Sequence, residues 1–91
     1  MSVLRELLER GVFVVTAEVG PPKGVDRESI VKKCAQIRGF VDAVNITDNQ
    51  TAIVRLSSFA SCLIVREAGL EPVMQLTCRD RNRIALQSDF L

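Results

Sequence analysis

Several residue types that carry catalysis and recognition are missing from this sequence or rare in it. It contains no His, Trp or Tyr, and only four Phe among its 91 residues. Without His, neither a Ser-His-Asp triad nor a Cys-His pair can form, and no metal site can use a histidine ligand. The shortage of aromatic rings also leaves little surface on which single-stranded nucleic acid could stack. We therefore predict no metal site and no nucleic-acid partner.

A strong charge of one sign and long apolar runs are also absent. Twelve basic and eleven acidic residues give a net charge of +1, which indicates no highly charged partner. The apolar runs are far shorter than the ~20 residues of a membrane span, and Met1–Glu6 does not resemble a signal peptide. The cysteines Cys34, Cys62 and Cys78 form no C-x-x-C pair, which is typical of free thiols. We expect a cytoplasmic protein that does not enter a membrane.

What the sequence does contain is a regular alternation of predicted helices and strands. Apolar spacing and chain breakers predict helices over 3–10, 26–38 and 51–68 and from about 80 onward, and strands over 12–19, 41–47 and 73–77. The expected helix N-caps are Ser2, Asp26 and Asp80, and the expected helix ends are Gly11, Gly39 and Gly69. A strand and helix that recur every ~30 residues predict an α/β fold of parallel strands joined by right-handed crossovers.

Two parallel architectures fit this alternation, a small open sheet and the opening part of a (βα)₈ TIM barrel. A barrel needs ~250 residues, and this chain supplies three strands, so the barrel requires that residues 1–91 are an N-terminal fragment of the barrel domain. The last predicted helix reaches Leu91 without a C-cap, which favours the fragment. We therefore expect the first three strands of a barrel that is incomplete in this chain.

Polar side chains follow all three predicted strands, at 16–18, 45–50 and 75–78. Ligands of parallel sheets bind beyond the carboxyl ends of the strands. Thr47, Gln75 and Thr77 offer hydroxyl and amide groups to a heterocycle or a phosphate. Ordinary strand-end capping accounts for the same residues and is the simpler alternative.

Glu18 is the most informative of these polar residues. It stands in a strand pattern between Ala17 and Val19, where we expect the carboxylate to be partly desolvated. Desolvation raises the pKa of a carboxyl group and can make it a general acid near neutrality. The alternative is that Glu18 pairs with a nearby Arg or points to solvent.

Other charged and thiol residues have simpler interpretations. Asp48 and Asp80 are expected to cap helices and do nothing else. An anion could bind at the three arginines of 79–83, although a solvated face is the commoner outcome for such a cluster. Cys78 has no His to activate it, and Cys34 and Cys62 fall on apolar helix faces that predict core positions.

Three strand ends resemble, in order, the motifs of the methylenetetrahydrofolate reductase family. Residues 16–22, Thr-Ala-Glu-Val-Gly-Pro-Pro, resemble its first-strand motif, in which a Glu stands three residues before a Pro-Pro pair. Residues 44–47, Val-Asn-Ile-Thr, and residues 74–78, Met-Gln-Leu-Thr-Cys, look like the ends of its second and third strands. The resemblance covers essentially the whole chain, but only about the first third of the family's catalytic barrel.

The resemblance implies a (βα)₈ flavoprotein that reduces 5,10-methylenetetrahydrofolate to 5-methyltetrahydrofolate with a hydride from N5 of reduced FAD. In this interpretation Glu18 assists protonation at folate N10, which opens the five-membered ring to an iminium. Thr47 and Gln75 match positions that contact the flavin, and Thr77 lies in the same motif. The implied partners are the folate, NAD(P)H or another electron donor, and an oligomer or accessory subunit.

One residue departs from the family pattern. The familiar third-strand motif has His before Leu-Thr-Cys, where this sequence has Gln75. An amide can donate a hydrogen bond to a flavin, but it cannot titrate. We expect the isolated chain to be inactive. The alternatives are a small non-catalytic α/β module that binds a ligand or partner and, with less support, another pterin-binding barrel such as a methyltransferase.

Overall fold

Three short strands lie side by side in one parallel sheet, in the order β1-β2-β3. The computed structural model describes residues 2–91. The strands are β1 (Thr16–Val19), β2 (Ala43–Ile46) and β3 (Pro72–Met74). The helices are α1 (Val3–Glu9), α2 (Arg27–Ile37), α3 (Ser58–Glu67) and α4 (Arg83–Phe90), with a 3₁₀ turn at Gln50–Ala52. The predicted parallel βα alternation is confirmed.

The first two helices begin where the sequence predicts, because each has a side chain that accepts a free backbone N–H. Ser2 Oγ accepts from the Arg5 N–H at 3.1 Å, and Asp26 Oδ1 accepts from the Glu28 N–H at 3.1 Å. Gly39 follows α2 with a φ of 87°, a conformation that glycine adopts without steric cost.

The core lies between the sheet and helices α2 and α3. Both helices pack on the sheet and against each other, so they cover the same face. The buried residues of this layer come from strands β1 and β2 and from helices α2 and α3: Val19, Val44, Ile46, Ile30, Cys34, Cys62 and Val65. Val44 and Ile46 are two residues apart on β2, and side chains at that spacing share a face. The helices therefore cover the face to which Val44 and Ile46 point.

The opposite face of the sheet carries both polar and apolar side chains. Glu18, Asn45 and Val73 are register partners across the three strands. Each is next to a core-facing position on its strand, so its side chain points to the other face. No helix of the described part of the chain packs strongly on them. Helices therefore cover the sheet on one side only.

The predicted start of the third helix is wrong by seven residues. The pattern predicts a helix from Thr51, whereas α3 begins at Ser58, with Ser57 as its N-cap. Asn49, Thr51 and Ala52 all have positive φ, so the chain turns away from a helical path there. The strands are also shorter than predicted, since regular pairing covers only three or four residues of each.

The predicted N-cap of the last helix is also wrong. Asn82, not Asp80, caps α4, and its Oδ1 accepts from the Ala85 N–H at 2.8 Å. None of the helices found in residues 2–91 is long and apolar enough to cross a membrane.

Candidate functional site

The ends of all three strands meet at the carboxyl edge of the sheet. The Gln75 N–H donates to the Ile46 carbonyl at 3.1 Å, which extends the pairing of β2 with β3 past its last regular residues. Thr47 and Gln75 therefore leave adjacent strands at the same level. The loop after β1 lies beside them, because a Cβ placed on Gly20 would be 3.8 Å from Thr47 Oγ1.

Glu18 lies on the sheet face opposite the helices and is exposed. The expectation that the strand partly buries its carboxylate is wrong for residues 2–91, because β1 is an edge strand and no helix packs over this face. Its register partner Asn45 is held by hydrogen bonds from its amide to Thr16 Oγ1 at 3.3 Å and to the Ala17 carbonyl at 3.5 Å. The carboxylate of Glu18 is therefore accessible from the open side of the sheet. Its register partner Asn45 precedes Thr47 by two residues on the chain, so Glu18 lies roughly 7 Å from the level of Thr47, toward the start of the strands.

Thr47 is buried, and its hydroxyl lacks a partner. The residue is 6% exposed, and Oγ1 makes no hydrogen bond to any atom of residues 2–91. A buried polar group without a partner costs about 1–3 kcal/mol, so such groups are uncommon and draw attention to a site. Thr47 can both donate to and accept from a ligand.

Thr77 is already engaged by a neighbouring carboxylate. Its backbone N–H and its hydroxyl both donate to Asp48 Oδ2, at 2.8 and 3.0 Å. The hydroxyl proton is therefore committed, and Oγ1 accepts a longer hydrogen bond from Arg81 Nη1 at 3.4 Å. Gln75, by contrast, is exposed at the same edge.

The prediction that Asp48 only caps a helix is wrong. The residue is 3% exposed and forms an ion pair with Arg81, whose Nε also bonds Asp89 Oδ2 at 3.0 Å. The hydrogen bond from Arg81, together with those from Thr77, holds the pKa of Asp48 below its usual value, against the opposing effect of burial. The sequence does contain a signal for this ion pair, since a carboxylate directly follows one buried strand and an arginine cluster follows the next strand.

The arginine cluster does not form an open anion site. Arg79 pairs with Asp80 at 2.8 Å and also donates to the Asn49 carbonyl at 3.0 Å. Arg81 is paired with Asp48 and is mostly buried. Two of the three charges are thus already neutralised by carboxylates of the chain.

The predicted core positions of Cys34 and Cys62 are confirmed. Cys34 and Cys62 are buried in the core, and burial raises the pKa of the Cys62 thiol to about 11. Cys78 is exposed. Within residues 2–91, no group of three His, Cys, Asp or Glu side chains is placed to hold a metal ion.

A separate cleft of about 630 Å³ lies at the start of β3, away from the strand ends described above. The carboxylate that lines it, Glu71, accepts hydrogen bonds from Ser2 Oγ and from the Val3 N–H at 2.8 Å. These bonds hold the pKa of Glu71 below its usual value. Glu71 therefore joins the start of α1 to β3, which is a structural role.

Comparison with models of known protein families identifies the family of this chain. The model of the family described as methylenetetrahydrofolate reductase matches residues 3–90. The chain belongs to this family. Comparison with curated proteins and with solved structures gives no match.

Membership in the methylenetetrahydrofolate reductase family indicates the class of reaction and of cofactor to consider at the site. The family consists of oxidoreductases that act in folate metabolism and are generally flavin-dependent. The resemblance of the three strand ends is thus confirmed at the level of the family. The carboxyl edge, where Thr47, Gln75 and Thr77 lie, is the edge at which parallel α/β folds bind their ligands.

Proposed function

We propose that this chain forms the first three βα units of a (βα)₈ barrel that reduces 5,10-methylenetetrahydrofolate to 5-methyltetrahydrofolate with FAD. The observation that carries the proposal is the family match over residues 3–90. In this account residues 1–91 are part of a longer catalytic domain, and the activity belongs to that longer protein.

The sheet topology supports the barrel. Parallel strands in sequential order with both crossover helices on one face are the arrangement of a (βα)₈ barrel, in which the other face lies inside. That other face carries Glu18 and Asn45, which are polar residues suited to the inner wall of a site. The further strands of the barrel would then cover Glu18 and supply the desolvation that residues 2–91 do not.

The residues at the carboxyl edge fit a flavin. The Thr47 hydroxyl is buried without a partner in residues 2–91, and the Gln75 amide is exposed beside it. Both can hydrogen-bond the carbonyl and nitrogen atoms of a flavin ring, with Gln75 in place of the family's His. When bound and reduced, FAD supplies the hydride that the reaction needs. Thr77 contributes to the flavin site through the position of its backbone, since its hydroxyl donates to Asp48 and accepts from Arg81.

Glu18 is the proposed acid of the folate reaction. It is the carboxylate of β1 on the open face, and its exposure leaves it free to reach a substrate. A carboxylic acid at this point can deliver a proton to N10 of the bound folate, which opens the five-membered ring before the exocyclic carbon is reduced. Glutamine at this position would keep the size and polarity of the side chain but could not supply the proton.

The substitution Glu18→Gln tests this role in the longer protein. We expect the rate of folate reduction to fall about 100-fold or more, as for loss of a general acid, while reduction of the flavin by its electron donor stays within about twofold of wild type. Stopped-flow absorbance of the flavin measures the two half-reactions separately. The matched control is Glu28→Gln, which changes an exposed carboxylate in the first turn of α2. Equal loss in both half-reactions would show that Glu18 is structural.

A further inference from the structure

Two loops at the carboxyl edge are joined through one buried carboxylate. We call residues 47–57, which lead from β2 to α3, the β2 loop, and residues 75–82, which lead from β3 to α4, the β3 loop. Asp48 belongs to the β2 loop, but its hydrogen-bond partners Thr77 and Arg81 belong to the β3 loop. A second tie, from Arg79 Nη2 to the Asn49 carbonyl at 3.0 Å, joins the same two loops.

These contacts engage every polar group of Thr77. Its N–H and hydroxyl donate to Asp48 Oδ2, and its carbonyl accepts from Arg81 Nη1 at 2.9 Å. Arg81 Nη1 also donates to Asp48, which closes the arrangement. The end of the β3 loop nearest α4 is thus fixed to the end of β2 rather than only to its own neighbours.

Burial makes this arrangement depend on the charge of Asp48. A carboxylate that is 3% exposed is stable only when donors compensate its charge, and here three donor groups do so at Oδ2. The other oxygen, Oδ1, is buried without a hydrogen-bond partner in residues 2–91, so the charge depends on the three contacts at Oδ2. Removing the charge leaves the guanidinium of Arg81, itself mostly buried, without its main partner. The β3 loop would then lose the contact that fixes it to β2.

The position of the contact relates it to the candidate site. Asp48 directly follows Thr47, and Thr77 lies two residues after Gln75, so the contact lies just beyond the two groups that fit the flavin. We propose that Asp48 is a positioning residue, whose buried contact with Thr77 and Arg81 holds the β2 and β3 loops together and thereby keeps Thr47 and Gln75 side by side for FAD. The proposal rests on the proposed function. Asp48 itself is not proposed to touch the cofactor.

The test compares Asp48→Asn with Glu28→Gln in the longer protein. Asparagine keeps the size of the side chain and one acceptor oxygen but removes the charge, whereas Glu28 is an exposed carboxylate in the first turn of α2, outside both loops. Three quantities are measured: hydrogen exchange of the β3 loop by mass spectrometry, the dissociation constant of FAD, and the visible circular dichroism of bound FAD.

We expect Asp48→Asn to speed exchange in the β3 loop and to weaken FAD binding by about tenfold or more, because FAD would then bind only the fraction of molecules in which the two loops are joined. The visible circular dichroism of FAD bound at saturation should also change, since it reports on the ring's surroundings. Glu28→Gln should leave the exchange of the β3 loop and the FAD dissociation constant within about twofold of wild type and the circular dichroism unchanged, since an exposed surface substitution has little effect.

Two results would overturn the proposal. Unchanged exchange in Asp48→Asn would show that the contact does not hold the loops, and faster exchange with unchanged FAD affinity and spectrum would show a purely structural role. If Asp48→Asn does not fold, Arg81→Met breaks the same ion pair from the other side, and the same outcomes apply. A wild-type protein that binds no FAD would instead contradict the proposed function, and the exchange data alone would then decide whether the contact holds the loops.

Discussion

At the scale of single residues, the sequence predicts the role of a residue well where a single strand or helix determines that role. It predicts the role poorly where contacts between two loops determine it. Cys34 and Cys62 are core residues because of their spacing along their own helices. Asp48 is different, since its partners Thr77 and Arg81 are about thirty residues away and meet it only because parallel strands end at one edge. A capping role was therefore the simplest interpretation of Asp48 from sequence, and it was wrong.

The thiols provide a prediction at this scale. In the folded protein, iodoacetamide should label Cys78 at least about tenfold faster than Cys34 or Cys62, because buried thiols with a raised pKa react slowly. Peptide mapping by mass spectrometry at several labelling times measures the three rates. In urea the three rates should converge, which serves as the control. Fast labelling of Cys62 under native conditions would contradict the described core.

At the scale of secondary-structure elements, the sequence predicts the types of the elements and most helix ends, but not the start of α3. The apolar spacing of residues 53–64 favours a helix, yet tertiary hydrogen bonds hold this segment in another conformation. The Leu56 N–H donates to the Pro22 carbonyl at 2.8 Å, and Arg55 Nη1 donates to the Pro21 carbonyl at 3.2 Å. These contacts attach the segment to the Pro-Pro loop after β1, and no local pattern reports them.

A pair of glycine substitutions tests this description of the backbone. Ala52 has a φ of 58°, so Ala52→Gly removes left-handed strain and should raise the free energy of unfolding by about 0.5–1 kcal/mol. Ala35→Gly, at an exposed position in α2, should lower it by about 1 kcal/mol. Urea unfolding followed by circular dichroism gives both values in the longer protein. If Ala52→Gly instead lowers the free energy of unfolding, as Ala35→Gly is expected to do, the backbone at Ala52 is not left-handed.

At the scale of the whole molecule, residues 2–91 leave two strand edges and several apolar side chains open. The strands β1 and β3 each pair on one side only, and large apolar side chains such as Phe13 and Phe40 are mostly exposed. Unpaired strand edges of this kind favour pairing with other chain segments. In a barrel the missing neighbours are further strands, whereas a self-contained binding module would instead satisfy these edges by forming a discrete oligomer.

The most direct test of the central claim compares the isolated 91-residue chain with the longer protein that we propose contains it. Both are titrated with FAD and assayed for reduction of 5,10-methylenetetrahydrofolate with a chemically reduced flavin, and both are sized by light scattering. We predict that the longer protein binds FAD and forms 5-methyltetrahydrofolate, while the isolated chain does neither and aggregates or is partly disordered. A discrete, ordered oligomer of the isolated chain, together with no flavin binding by the longer protein, would contradict the account and support a non-catalytic module.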